Sequence, residues 1–190
     1  VDGTTPISTG EITDHVFGKK DAKVVLIEYG DFQCPGCGGA YPGIKTVTEA
    51  YRDKTAFIFR NYPLTSLHPN ALAAAAAAES ASLQGKYWEM HDLLFERQNL
   101  WSNLDPQARD DTFVIYAKEL KLDIERFKVD RAGKAVADKI ARDRALGAKY
   151  AVDSTPTFFI GSEKLSNDLL SDLNSGGDKL KAKLDEALQQ

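Results

Sequence analysis

VVLIEYGDFQCPGC, residues 24–37, runs from an almost continuously apolar segment straight into a pair of cysteines three positions apart. Residues 24–30 are rich in β-branched and aromatic side chains, with Glu28 as the single charge, the pattern of a central strand covered on both faces. Cys34 follows at once, and Pro35 stands where the first residue of a helix is favoured. IKTVTEAYRD (44–53) carries a helical pattern to about Asp53, and Pro42 predicts a kink in that helix. AFIFRNY (56–62) reads as a second strand. Strand, helix and strand with short links make a βαβ unit with a parallel pair and a right-handed crossover.

The rest of the chain changes character twice. From about Pro63 to Leu146 it reads as helical. NALAAAAAAES (70–80) is an alanine-rich helix of about three turns. Tyr87, Met90, His91 and Leu94 form an amphipathic stripe, Phe113, Tyr116, Ala117 and Leu120 repeat its spacing, and RAGKAVADKIARDRAL (131–146) makes a further helix. Strand character returns in TPTFFIGSEKL (155–165), where Gly161-Ser162 signals a hairpin turn. Leu180, Leu184 and Leu188 put one face of a final helix against the sheet. This order, βαβ, helical insertion, ββα, is that of an α/β thioredoxin fold with a helical domain inserted between its halves. The expected boundaries are 14–63 and 147–190 for the thioredoxin-like domain and 64–146 for the insertion, with 1–13 as a loose polar arm.

Composition narrows the function. The chain has 190 residues and a formal net charge of −4 with scattered Lys and Arg, which gives no footprint for nucleic acid. No apolar run approaches the ~20 residues of a bilayer span. The chain starts at Val1 rather than Met, so removal of an N-terminal segment is expected; a secretion signal or a membrane anchor within it would no longer be visible.

Two cysteines cannot build a disulfide framework for a chain of this length, and a bridge across so short a loop constrains little of the unfolded state. Zinc needs four ligands, or three and a water; there is no second cysteine pair, and His15, His68 and His91 stand singly. His91 lies within an apolar stripe and reads as a core residue.

A redox reading fits better. A thiol at a helix N-terminus faces unpaired N–H groups and the positive end of the dipole, both of which favour thiolate. Cys34 is then the outer, attacking cysteine, and Cys37, one turn on, the deeper one that resolves. Glu28 has two readings: a carboxylate at a strand end facing water, or a semi-buried acid of raised pKa that exchanges protons with Cys37. Thr155-Pro156 also has two. A proline opening a strand is usually trans, but near a cysteine pair a cis bond would aim the backbone at the thiolate and leave Thr155 free to pair with an extended peptide. Pro35, Gly36 and Phe32, beside the cysteines, join Thr155 as the expected substrate contacts.

HVFGKKDAKVVLIEYGDFQCPGC, together with NYPLTSLHPNALAAAAAAES, GKYWEMHDLLFERQ and STPTFFIG, resembles the bacterial DsbA-type thiol oxidases over about residues 15–165. The resemblance implies a thioredoxin fold with a helical insertion, an extracytoplasmic location in the periplasm or cell envelope, and donation of a disulfide to secreted proteins. It implies Cys34 as nucleophile, Cys37 as its partner, Glu28 as the buried acid and Pro156 as a cis-proline after Thr155. The best-known members carry CPHC, where this chain has Gly36 in place of the histidine. No cofactor beyond the Cys34–Cys37 disulfide is expected. The expected partners are folding secreted proteins with free cysteines and a membrane quinone-linked reoxidant, DsbB-like or vitamin K epoxide reductase-like, serving a monomer. The rival readings are a reductase or isomerase on the same fold, and a redox-silent chaperone using the groove beside Pro156.

Overall fold

A computed structural model describes residues 11–190 of the chain. Five strands form one sheet in the order β1-β3-β2-β4-β5: β1 Val16–Gly18, β2 Val25–Gly30, β3 Ala56–Asn61, β4 Thr157–Ile160 and β5 Glu163–Lys164. β2 and β3 are parallel, with Val25 opposite Ala56 and Gly30 opposite Asn61, and the other pairs are antiparallel. β2 lies in the middle and buries both faces, as its apolar run predicts. Ile27 and Tyr29 pack with Ile58, Val152 and Phe159, whereas Leu26 joins Phe57 and Phe59 in the larger core on the other side. Gly161-Ser162 makes the two-residue turn between β4 and β5.

α1, Pro35–Tyr51, links β2 to β3. Pro42 sits inside this helix without ending it. The inserted helices are α2 Ala71–Ser82, α3 Tyr87–Glu96, α4 Gln98–Trp101, α5 Pro106–Glu119, α6 Ile124–Arg131 and α7 Lys134–Lys149, and α8 Leu169–Leu173 and α9 Asp178–Leu188 close the chain. Alanine favours α2 through its high helix propensity, and Ala74, Ala77, Ala78 and Ala81 are fully buried where neighbouring helices approach. Asp105 caps α5 by accepting from the N–H groups of Gln107 and Ala108, with Pro106 at the first position. His91 is buried among Phe32, Phe59 and Phe95, a core residue. Among the described residues, no helix is long and apolar enough to cross a membrane.

Two expectations need adjustment. The boundary expected at 146/147 falls inside α7, which continues from the insertion onto the sheet: Asp143 Oδ2 accepts from Asn61 N at 3.0 Å. Of the arm expected over 1–13, residues 1–10 lie outside the described residues. Ile12 is buried rather than loose, and its carbonyl accepts from Arg142 Nη2.

A buried ionic network ties the N-terminal segment, the sheet and the insertion together. Lys139 Nζ, fully buried, donates to both carboxylate oxygens of Asp143 at 2.7 and 2.6 Å and lies 3.5 Å from Asp14 and 3.9 Å from Glu79. Burial alone would pull the Lys139 pKa down; the carboxylates of Asp143, Glu79 and Asp14 outweigh it and hold the ammonium. Arg60 pairs with Asp14 at 2.7 Å, and Glu79 with His15 at 2.8 Å.

Candidate active site

Cys34 is the N-cap residue of α1, with an extended backbone (φ −65°, ψ 124°) and Pro35 next in the helix. Its side chain is therefore carried over the first turn, where backbone N–H groups have no helical partner. The second sulfur lies one turn deeper. Cys37 is 1% exposed and Cys34 8%, so the outer cysteine is nearly covered rather than open, and the exposed Pro35 and Gly36 separate the two. The structure holds the pair as a dithiol.

The Thr155–Pro156 bond is cis. The 155–156 segment, just ahead of β4, lies against Cys34, whose Sγ donates to the Thr155 carbonyl at 3.3 Å. A Cβ built on Gly36 would lie 3.4 Å from Pro156 Cδ and 3.6 Å from Cys34 Sγ, so the residue between the cysteines is in reach of the proline ring.

The electrostatics separate the two thiols. The Cys34 pKa is held down to about 5: the Cys37 thiol donates to its sulfur, burial opposes, and the Thr155 side chain and the N–H groups of Cys37 and Gly36 add to the lowering. The Thr155 hydroxyl is buried with no other hydrogen-bond partner. Cys37 moves the opposite way, pushed well up by burial, by its hydrogen bond to Cys34 and by the negative charges of Glu28 and Cys34. Glu28, 4% exposed in the middle of β2, is pushed up to about 8, by burial first and then by the Cys34 charge. Glu28 thus lies within the protein rather than facing water. A thiol ionised at neutral pH, a deeper thiol that stays protonated and a protonated carboxyl together suit thiol-disulfide exchange.

The structure thus gathers Cys34, Cys37, Glu28, Thr155, Pro156, Pro35 and Gly36 at one place. Phe32 is a correction. It is 1% exposed, with its ring 4.9 Å from those of Phe59 and Phe95, and offers no surface to a substrate. It belongs to the core beneath the site.

Sequence reasoning passed over Asp31. Its N–H donates to Cys37 Sγ at 3.5 Å, and its buried carboxylate accepts from Gln33 N at 2.8 Å and Leu64 N at 2.9 Å and bonds His68 Nδ1 at 2.7 Å. An aspartate between a strand and a helix start was the available signal, because such residues bond the backbone of their own turn.

The profile of the thioredoxin family matches residues 10–176, and the chain belongs to that family. Within it, the architecture is of the DsbA type. The fold superposes on that of oxidised BdbD from Bacillus subtilis with a TM-score of 0.78, covering 92% of both chains at 24% identity. It is similar to alpha-DsbA1 from Wolbachia pipientis, with a TM-score of 0.71, 96% of both chains covered and 25% identity. Among curated proteins it is similar to Na(+)/H(+) antiporter NhaA 3 of Salinispora tropica, 39% identical over 151 residues, and to Na(+)/H(+) antiporter NhaA of Herminiimonas arsenicoxydans, 34% identical over 152. Each match covers 80% of this chain but only 22% and 23% of the relative, so the chain spans less than a quarter of those proteins.

Proposed function

We propose that this chain is a protein thiol-disulfide oxidoreductase that works as an oxidase. The observation that carries the reading is the placement of Cys34 Sγ at the start of α1, where Cys37, Thr155 and the first-turn N–H groups all favour its thiolate while Cys37 stays protonated. Stabilising the thiolate stabilises the reduced protein, and a couple with a favoured dithiol gives its disulfide away readily.

In the oxidised protein a substrate thiolate attacks Cys34 Sγ. The Cys34–Cys37 bond breaks, a substrate–Cys34 mixed disulfide forms, and Cys37 leaves as a thiolate. The carboxyl of Glu28, protonated at neutral pH, is the proton donor to that leaving sulfur. A second substrate thiolate then attacks the substrate sulfur of the mixed disulfide, forming the substrate disulfide and releasing Cys34 as a thiolate. Two substrate thiols are oxidised and one protein disulfide is reduced; the second proton goes to solvent.

The proposal extends to folding secreted proteins with free cysteines as substrates, and to a membrane quinone-linked reoxidant, DsbB-like or vitamin K epoxide reductase-like, that restores the disulfide. It carries an extracytoplasmic setting with it, since disulfides persist in oxidising compartments. The likeness to part of proteins named as antiporters supports a place at a membrane. The test is oxidation of a peptide dithiol by stoichiometric oxidised protein: conversion to the cyclic disulfide within minutes is expected, and no conversion above the uncatalysed rate refutes the reading.

A further inference from the structure

The loop that carries the nucleophile is held from outside the thioredoxin-like half. Gln98, the first residue of α4, donates from Nε2 to the carbonyl oxygens of Phe32 at 2.7 Å and of Cys34 at 3.0 Å. Those carbonyls belong to the peptide groups on either side of the Gln33–Cys34 pair, so a single amide fixes both planes. The Cys34 carbonyl also accepts from Gly38 N at 3.0 Å as α1 begins. The angle at which Cys34 enters the helix, and with it the approach of its sulfur to the N–H groups of Gly36 and Cys37, is therefore set jointly by α1 and by Gln98.

Around this contact the anchoring is dense. Gln33 makes the return connection, donating from Nε2 to Ser102 O at 2.7 Å and accepting from Asn70 N at 2.6 Å. Trp101, fully buried, pins the end of α4 by donating to Leu94 O at 2.9 Å. Room for Gln98 comes from Gly38, where a Cβ would lie 2.4 Å from Gln98 Oε1. A larger residue at 38 drives the glutamine off its two carbonyls.

We propose that Gln98 is a positioning residue for the Cys34 nucleophile, and that through it the inserted helices set the redox poise of the Cys34–Cys37 couple. The proposal deepens the oxidase reading and takes the meaning of that poise from it. Gln98 touches no reacting sulfur and acts through the Cys34 backbone.

Two variants test it from opposite sides of the contact. Gln98→Met keeps the volume and removes both donated bonds. Gly38→Ala keeps the glutamine but displaces it, and alanine in a helix favours the fold. Both are read by thiolate absorbance of Cys34 against pH and by equilibrium with glutathione. In each, the Cys34 midpoint is expected to rise by about half a unit to one unit, and the equilibrium to move by the matching ~3- to 10-fold toward oxidised protein. A midpoint and an equilibrium unchanged in folded variants overturn the proposal, whatever happens to the melting temperature, because a merely structural role moves only the latter. If Gln98→Met does not fold, Gly38→Ala decides alone. If the unaltered protein oxidises no peptide dithiol yet both midpoints rise, the positioning role stands and the oxidase reading falls.

Discussion

Cys34 and Thr155, 121 positions apart in the chain, meet at 3.3 Å, the thiol of one on the carbonyl of the other. The contact joins the start of α1 to the segment that opens β4, and it leaves the Thr155 hydroxyl buried with no further partner. The same threonine side chain helps hold the Cys34 pKa down to about 5. A thiol that gives its proton up this readily supplies a thiolate at neutral pH, whereas the resting Cys37 thiol keeps its proton.

The two cysteines should therefore differ in trapping. Cys37→Ala leaves Cys34 to form a mixed disulfide that nothing inside the protein can resolve, and substrate adducts should accumulate on non-reducing gels. Cys34→Ala should trap few, because Cys37 is 1% exposed and its thiol is kept protonated. Equal trapping by both variants would reverse the assignment of roles.

Stability should depend on redox state and pH together. The Cys34 pKa lies below its unfolded value, so its contribution to the dithiol protein is complete above the unfolded pKa and lost as pH falls through about 5. At pH 7 that contribution is about 2–3 kcal/mol. A disulfide across so short a loop stabilises the oxidised form by about 2 kcal/mol through the unfolded chain. Reduced protein should be the more stable at pH 7 by a small margin, and oxidised protein at pH 4. Urea melts of both forms at the two pH values check it; an oxidised form more stable at pH 7 contradicts it.

Glu28 carries the opposite sign. Its folded pKa is pushed from the ordinary 4.5 up to about 8, so the folded protein keeps a proton that the unfolded chain has lost across that window. Stability falls as pH rises through it. Glu28→Gln removes the penalty and should stabilise the reduced protein by about 3 kcal/mol at pH 7 and hardly at all at pH 4. Parallel stability profiles for the two proteins would show that Glu28 titrates normally.

The ionic network predicts a large loss at a site remote from the sulfurs. Lys139→Met leaves the carboxylates of Asp143 and Glu79, both fully buried, without their cation. Removal of one partner from such a pair costs about 3–5 kcal/mol. Urea unfolding measures the loss, and a change below about 1 kcal/mol would mean the charges are neutralised in the folded state.

Sequence alone placed much of this. The run from Val24 to Gly30 is legible because a strand buried on both faces has no polar alternation, and the cysteines and Pro35 mark the helix start that follows. β1 was missed: three residues, Val16–Gly18, are too short for a period to show. Phe32 was misread because adjacency to Cys34 says nothing about direction; its ring turns inward toward Phe59 and Phe95. The α7 boundary blurred because one helix serves both the insertion and the sheet. Contacts such as Gln98 to Cys34, or Lys139 to Asp14, join residues 64 and 125 positions apart and leave no local pattern to read.

The most direct test of the account is the equilibrium of the Cys34–Cys37 couple with glutathione at pH 7. The stabilised Cys34 thiolate predicts a couple more oxidising than about −200 mV, with the protein mostly reduced in a glutathione buffer poised there. A couple near about −270 mV, with the disulfide persisting in that buffer, would make the protein a reductase and contradict the proposal that it donates its disulfide.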